Sequence, residues 1–300
     1  MLSGYLALYA GAVADILDAA EWDLVSRGVR QRVAALERFL GDVYGPGRVF
    51  DDGVVPWRLA YTSGEFRREV AGFAPPNGVR VHVAATDLIR DEQGEFRVIE
   101  DNTRIPSCAT RVAGFPSRLL AALRAAAPQG VVDPFVVVLT PGAAHSEHAA
   151  YAEHKTLARL LGVDLVEGRD LRCHRNHVYA DTGNGRCQVD VVYRQVADDW
   201  LDPMHLRPES LLGCPGLINA ARAGKVTIAN AVGNGVADGR LTYPYLPDLI
   251  RYYLGEEPLL GNAESGRLPW HIGLRAFAVN DGRDVAVFPG GLTQAWERCG

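Results

Sequence analysis

The stretch from Val79 to Ser107 constrains the fold of this chain more than any other. One β-rich arm opens at Val79-Arg80-Val81-His82-Val83 and ends in Asp87-Leu88-Ile89-Arg90. A second runs from Glu95 to Glu100, and Asp91-Glu92-Gln93-Gly94 supplies the turn between them. If Arg90 faces Glu95, Asp87 lies opposite Val98 and diagonal to Glu100. Side chains alternate along a strand, so Glu100 and Asn102 share a face with Asp87 while Asp101 points the other way. Two uncompensated carboxylates about 7–8 Å apart repel, and a hard cation relieves that repulsion. The all-oxygen set Asp87, Glu100 and Asn102 suits Mg2+, with Mn2+ as a substitute. The competing reading is a solvated hairpin whose edge is acidic because exposed edges are polar. Arg104, two residues beyond Asn102, and Pro106, which ends the strand, suit a corner that binds phosphate or carboxylate.

Composition narrows the class. Three hundred residues suffice for a large core, and 48% hydrophobic with 22% charged residues is ordinary for a globular chain. A net charge of −5 with no basic run argues against nucleic acid or an anionic membrane as partner. Of the 31 basic residues only Lys155 and Lys225 are lysines. Five scattered cysteines without a CxxC pair read as reduced thiols of a cytoplasmic protein. Leu2 to Ala20 is apolar but carries Asp15 and Asp18, and reads as an amphipathic helix rather than a signal or a membrane span.

Residues 11–45 hold Val29, Val33, Leu36 and Leu40 at helical spacing, and Tyr44-Gly45-Pro46-Gly47 stops the run. Ser117 is the expected N-cap of a helix beginning at the residues after Pro116. The apolar run Phe135 to Thr140, a helix from about Ser146 to Leu161 and the strand Asp164 to Gly168 form a βαβ unit, which implies a parallel sheet. Ligands collect at the carboxyl ends of such strands, where Thr140-Pro141-Gly142, Glu167 and Asp170 fall. His145, Glu147, His148, Glu153 and His154 lack HExxH spacing, and a solvated helix face with one buried histidine explains them better than zinc. Val189 to Arg194 alternates as a strand; Arg194 with Asp198 and Asp199 is either a structural ion-pair cluster or an anchor for an amino-acid-like substrate. The strand Val226 to Asn230 leads into a glycine-rich loop containing Gly233 and Gly235. Asp238 stands where a dinucleotide fingerprint needs its third glycine, so a substrate loop is the better reading.

Asp87, the acidic glycine turn, and Val98-Ile99-Glu100-Asp101-Asn102-Thr103-Arg104-Ile105-Pro106-Ser107 resemble the metal-ligand hairpin of ATP-grasp ligases. Further segments resemble the circularly permuted type 2 ATP-grasp proteins: Glu21-Trp22, Gln31 to Leu36, Leu40 to Gly45, Leu139 to Gly142, Leu165 to Gly168 and Tyr252 to Pro258. The family pattern also retains Glu153-His154 ahead of Leu157-Ala158. Two departures stand out: Arg194-Gln195 replaces a usual pair of arginines, and Asp238-Gly239-Arg240 replaces two acids and a lysine.

The resemblance implies an α/β fold of ATP-grasp type with a Rossmann-like βαβ region. The expected divisions are N-terminal helices with the metal hairpin over 1–128, a substrate-binding parallel sheet over 129–260, and a shortened remnant of the ATP-grasp core over 261–300. It implies a ligase that uses ATP and Mg2+ to join a small-molecule or peptide carboxylate to an amine through an acyl phosphate. Asp87, Glu100 and Asn102 would hold metal, and Arg104 and Arg275 phosphate. Glu153, His154, Glu167, Arg194, Asn230, Gly233 and Gly235 would contact substrate. A lysine-bearing segment with a glycine-rich loop, which in the family holds ATP, is missing between Trp270 and Leu274. That absence opens the alternative of a non-catalytic remnant serving as a binding or assembly partner.

Overall fold

The computed structural model describes residues 17–107, 109–183, 185–239, 241–263 and 272–294. The expected helix over Leu2 to Ala20 lies almost wholly outside them, as do Cys108, Arg240, Trp270 and Cys299. Helix α1 (Ala19–Val43) begins at a reciprocal cap: Asp18 Oδ1 accepts from the Glu21 N–H at 2.8 Å, and Glu21 Oε2 accepts from the Asp18 N–H at 3.0 Å. Its expected stripe of Val29, Val33, Leu36 and Leu40 is fully buried. After the short helical turns Arg48–Asp51 and Trp57–Tyr61 come strands β1 (Val83–Arg90) and β2 (Phe96–Asn102), then helix α2 (Phe115–Ala125). Strand β3 (Val136–Leu139), helix α3 (His148–Leu161) and strand β4 (Asp164–Val166) follow. Next are strands β5 (Leu171–His174), β6 (His177–Thr182), β7 (Gly185–Val189) and β8 (Val191–Arg194). Helix α4 (Leu217–Arg222), strand β9 (Thr227–Ala229), and helices α5 (Gly235–Asp238) and α6 (Leu246–Leu254) precede strands β10 (Gly261–Asn262), β11 (Ile272–Asn280) and β12 (Val285–Gln294).

Among the described residues the strands form three sheets. The first has the order β10-β2-β1-β11-β12 and is antiparallel except that β10 runs parallel to β2. The C-terminal strands thus complete the sheet that the hairpin begins. The second, β4-β3-β8-β9, is parallel throughout, as the βαβ pattern implies. The third is the antiparallel meander β5-β6-β7.

Strand alternation divides the first sheet between two cores. Ala84, Leu88, Val98, Ala276 and Ala278 pack with the buried stripe of α1. Val83, Ala85, Phe277 and Val279 pack with α2, α3 and the near face of the parallel sheet. Phe115 of α2 meets Phe277 and Phe288 edge-on, with ring centroids 5.6 and 5.9 Å apart, a favoured aromatic geometry. This is an α/β molecule in which the hairpin sheet and the parallel sheet share one helical layer.

Several expected boundaries move, each for a local reason. Val79 to His82 forms no strand, because its backbone donors are taken by side chains. The N–H groups of Arg80 and Val81 donate to the Glu37 carboxylate at 2.8 Å each, and those of His82 and Val83 donate to Asn230 Oδ1. Helix α2 starts at Phe115 behind Gly114, with Pro116 in its first turn, so Ser117 is not the cap; its hydroxyl donates to the Gly114 carbonyl instead. The single strand expected over Val189 to Arg194 is two, because Asp190 turns its carboxylate to the Phe135 N–H and leaves the ladder.

Candidate functional site

The hairpin pairs in a different register from the simplest closure of its turn. Arg90 faces Phe96, and a bulge on β2 brings Asp87 directly opposite Glu100 rather than Val98. A bulge adds one residue to one strand and re-aims the side chains beyond it. Asn102 stands opposite Ala85, on the same face as Glu100 and Asp87. On the other side of β1, Asp87 pairs with Arg275 of β11. The result is a row of three charged side chains, Arg275, Asp87 and Glu100, across three neighbouring strands. Arg275 holds both Asp87 oxygens at 2.6 Å, a two-point guanidinium–carboxylate contact, and both side chains keep some exposure to solvent.

Asp101 points to the opposite face. Its carboxylate accepts from Arg32 at 2.6 Å and from the Thr86 hydroxyl at 2.8 Å, all buried against α1. Arg32 also donates to Asn262 Oδ1 at 3.0 Å, which ties α1 to β2 and β10. Adjacent acids in one strand therefore have separate settings, Asp101 in a buried ion pair and Glu100 on the partly exposed face.

Beyond β2, Asn102 Oδ1 accepts from the N–H groups of Arg104 and Ile105 and shapes the corner. Arg104 is itself held, by Asp238 Oδ2 at 2.9 Å and Glu65 Oε2 at 3.0 Å. Burial raises the Asp238 carboxyl to about 7 even though Arg104 opposes that shift. A half-neutralised acid beside an arginine is a feature of functional sites. The sequence flags Asp238 as the residue that spoils a dinucleotide fingerprint and as part of a departure from the family pattern, not as a titrating acid.

The residues expected to contact substrate separate into two groups. At the carboxyl edge of the parallel sheet, His154 Nδ1 and the Thr140 hydroxyl share a hydrogen bond of 2.8 Å, and burial lowers the imidazole pKa. Gly142, at φ +88°, lies against Glu167; a Cβ there would sit 2.6 Å from its carboxyl carbon. Glu153 is half-buried nearby on α3. Thr140, Gly142, His154 and Glu167 thus meet where the topology places them.

The second group is internal. The Arg194 guanidinium is fully buried; it donates to the Asn230, Val196 and Ala231 carbonyls and pairs with Asp198 at 2.6 Å. That leaves it no face toward a ligand. The Asn230 amide is buried too, donating to the Val83 and Arg104 carbonyls while its oxygen holds the start of β1. Gly233, at φ +93°, accepts from the Tyr44 hydroxyl, and its N–H donates to Asp198. A Cβ on Gly235 would meet Glu65 Oε2 at 2.4 Å. These four residues build the wall behind Arg104.

Among the described residues no group of three or more histidine, cysteine, aspartate or glutamate side chains is arranged to hold a metal ion. The hairpin set has two carboxylates and one amide. Its donors are hard oxygens on one partly exposed face, the donor type a hard divalent cation takes, and to hold one Asp87 would have to share the oxygens that now pair with Arg275.

Comparison with known proteins agrees with this architecture. Residues 108–271 match the model described as a circularly permuted ATPgrasp, and residues 15–110 match circularly permuted ATP-grasp type 2. An uncharacterized protein of Mycobacterium leprae is 40% identical over 93% of this chain and 66% of its own length. That alignment spans 376 positions, more than this chain possesses, so the relative carries internal sequence that is missing here. An uncharacterized protein of Mycobacterium tuberculosis is 48% identical over 84% of this chain and 49% of its own. A Frankia casuarinae protein named "Putative glutamate--cysteine ligase 2-2" is 40% identical over 82% of this chain and 31% of its own. The chain spans between about a third and two-thirds of the length of these relatives. It belongs to the circularly permuted ATP-grasp family.

Proposed function

We propose that this chain carries the metal-binding and acceptor-binding part of an ATP-dependent carboxylate–amine ligase. The observation that supports the reading most is the row of Arg275, Asp87 and Glu100, with Asn102 on the same face. In this reading Asp87, Glu100 and Asn102 hold Mg2+, which when bound offsets the charge of the nucleotide phosphates. Arg275 and Arg104 orient phosphate oxygens with charge that does not titrate. The substrate carboxylate would attack the terminal phosphoryl group of ATP, the bond to the bridging oxygen would break and ADP leave, and the amine would then displace phosphate from the acyl phosphate and lose a proton. Thr140, Gly142, His154 and Glu167 form the edge at which the acceptor is received. Asp238, titrating near neutrality beside Arg104, is placed to exchange a proton there. The cytoplasm, where thiols stay reduced, is the compartment this reading assigns.

A second reading, a non-catalytic member that binds rather than ligates, has its own support. Arg275 is engaged by Asp87, and Arg104 by Asp238 and Glu65. Lys155 and Lys225 are exposed and lie on other elements. Thermal unfolding of the parent and of Glu100→Gln with added Mg2+ or Mn2+ tests the metal assignment. At a tenfold excess of metal over Kd the parent should gain about 1.4 kcal/mol, a rise of a few degrees, and the variant much less. Equal shifts in both would overturn the assignment. Phosphate release that depends on an added acid and amine would decide for the ligase over the binding protein.

A further inference from the structure

Cys173 and Cys214 stand 41 residues apart in sequence, yet their sulfurs are 3.4 Å apart. Cys173 lies on β5 and is partly exposed, whereas Cys214, in the loop before α4, is wholly buried. A disulfide needs about 2.05 Å between sulfurs, so side-chain rotation closes the remaining gap of about 1.4 Å. Both cysteines sit on rigid supports. β5 is laddered to β6, with Cys173 opposite Val178. The Cys214 N–H donates to the Leu201 carbonyl at 3.0 Å, and the adjoining Gly213 packs so tightly that a Cβ would sit 2.0 Å from that same oxygen. Asp202 then accepts from the N–H groups of Gly216 and Ile218 and fixes the far side of the loop. Gly216, at φ +86°, allows the approach: a Cβ there would press on Cys173 Cβ at 3.3 Å. The S–H of Cys214 stabilises the Cys173 thiolate and lowers its pKa, while the same contact, and then burial, raise that of Cys214.

We propose that Cys173 and Cys214 form a dithiol site that reacts with small-molecule disulfides and closes to an internal disulfide. Cys173 loses its proton and its thiolate attacks one sulfur of RSSR; the S–S bond breaks, a Cys173–SR bond forms, and RS− leaves carrying that proton as RSH. Cys214 then gives up its proton and attacks Cys173 Sγ; the Cys173–Cys214 bond forms and the second RSH leaves. Two protein thiols are oxidised and one external disulfide is reduced. The bond joins the β5–β6–β7 meander to the segment leading into α4.

The test uses the whole 300-residue chain with Cys108, Cys187 and Cys299 changed to serine, treated under native conditions with a dipyridyl disulfide whose thiopyridone product absorbs light. The expected result is release of two thiopyridones per chain, no retained adduct, and a Cys173–Cys214 linked peptide by mass spectrometry. Adding Cys214→Ser should halve the release and leave the adduct on Cys173. Adding Cys173→Ser should abolish release until the chain is unfolded. Cys214→Ala serves if the serine variant does not fold. A stable adduct on Cys173 with Cys214 present, or reaction of Cys173 only after unfolding, would overturn the proposal.

Discussion

Two residues on β2 one position apart show how far neighbouring acids diverge. Asp101 is one half of a buried ion pair with Arg32, and removing one partner of such a pair leaves the other charge stranded, at about 3–5 kcal/mol. Asp101→Asn should therefore lower unfolding stability by several kcal/mol in urea, whereas Glu100→Gln, on the partly exposed face, should cost less. Equal losses would mean that both side chains are structural. His82 makes a second prediction. Its ring is fully buried with neither nitrogen partnered among the described residues, and burial depresses its pKa to about 4. The unfolded chain takes up that proton near pH 6.5, so between pH 6.5 and 4 the unfolded state binds more protons and stability falls as pH falls. From pH 7 to pH 5 the contribution lost is about 2 kcal/mol. Asp238 pulls the other way, because its raised pKa favours the folded state as pH falls through about 7. Over that interval the two contributions are of similar size, so the parent profile is nearly flat, and His82→Leu should gain about 2 kcal/mol relative to the parent between pH 7 and pH 5. Parallel pH profiles for the two proteins would refute this.

At the scale of elements, the hairpin is legible in the sequence and its register is not. Alternation alone separates Glu100 and Asn102 from Asp101, because a period of two survives any choice of partner. The bulge that sets Asp87 opposite Glu100 leaves no local mark in the sequence. β1 starts later than its apolar run suggests because a helix side chain, Glu37, supplies the acceptors that a neighbouring strand would otherwise supply. Burial raises the Glu37 pKa against the lowering effect of those two N–H groups. Glu37→Ala leaves both donors without an acceptor and should cost about 2–4 kcal/mol, with Glu37→Gln recovering part of it. Denaturation curves of the two variants check this; a neutral Glu37→Ala would show that the donors find water instead. Arg194 and Asn230 are hardest to read, because a buried clamp and a ligand-facing arginine are the same letter in a sequence. The spacing of Cys173 and Cys214 likewise says nothing of their contact.

For the whole molecule, the βαβ signal and the family resemblance anticipate a parallel sheet beside an ATP-grasp hairpin, and the two sheets do share one helical layer. The resemblance could not show that β11 and β12 complete the hairpin's own sheet, since strand partners distant in sequence are not written in either strand. Nor could it show that both candidate phosphate arginines are already paired within the chain. Together with the internal sequence that the Mycobacterium leprae relative has and this chain lacks, that pairing limits what the site can hold. In the proposed reading this chain supplies the metal face of an ATP-grasp site without the lysines that would oppose a triphosphate. Calorimetric titration of Mg-ATP into the parent and into Glu100→Gln tests this most directly. A millimolar or weaker Kd is expected in the parent, on the order of −4 kcal/mol, with no measurable binding in the variant. A micromolar constant, or equal binding in both proteins, would contradict it and place the nucleotide among residues that pack as core.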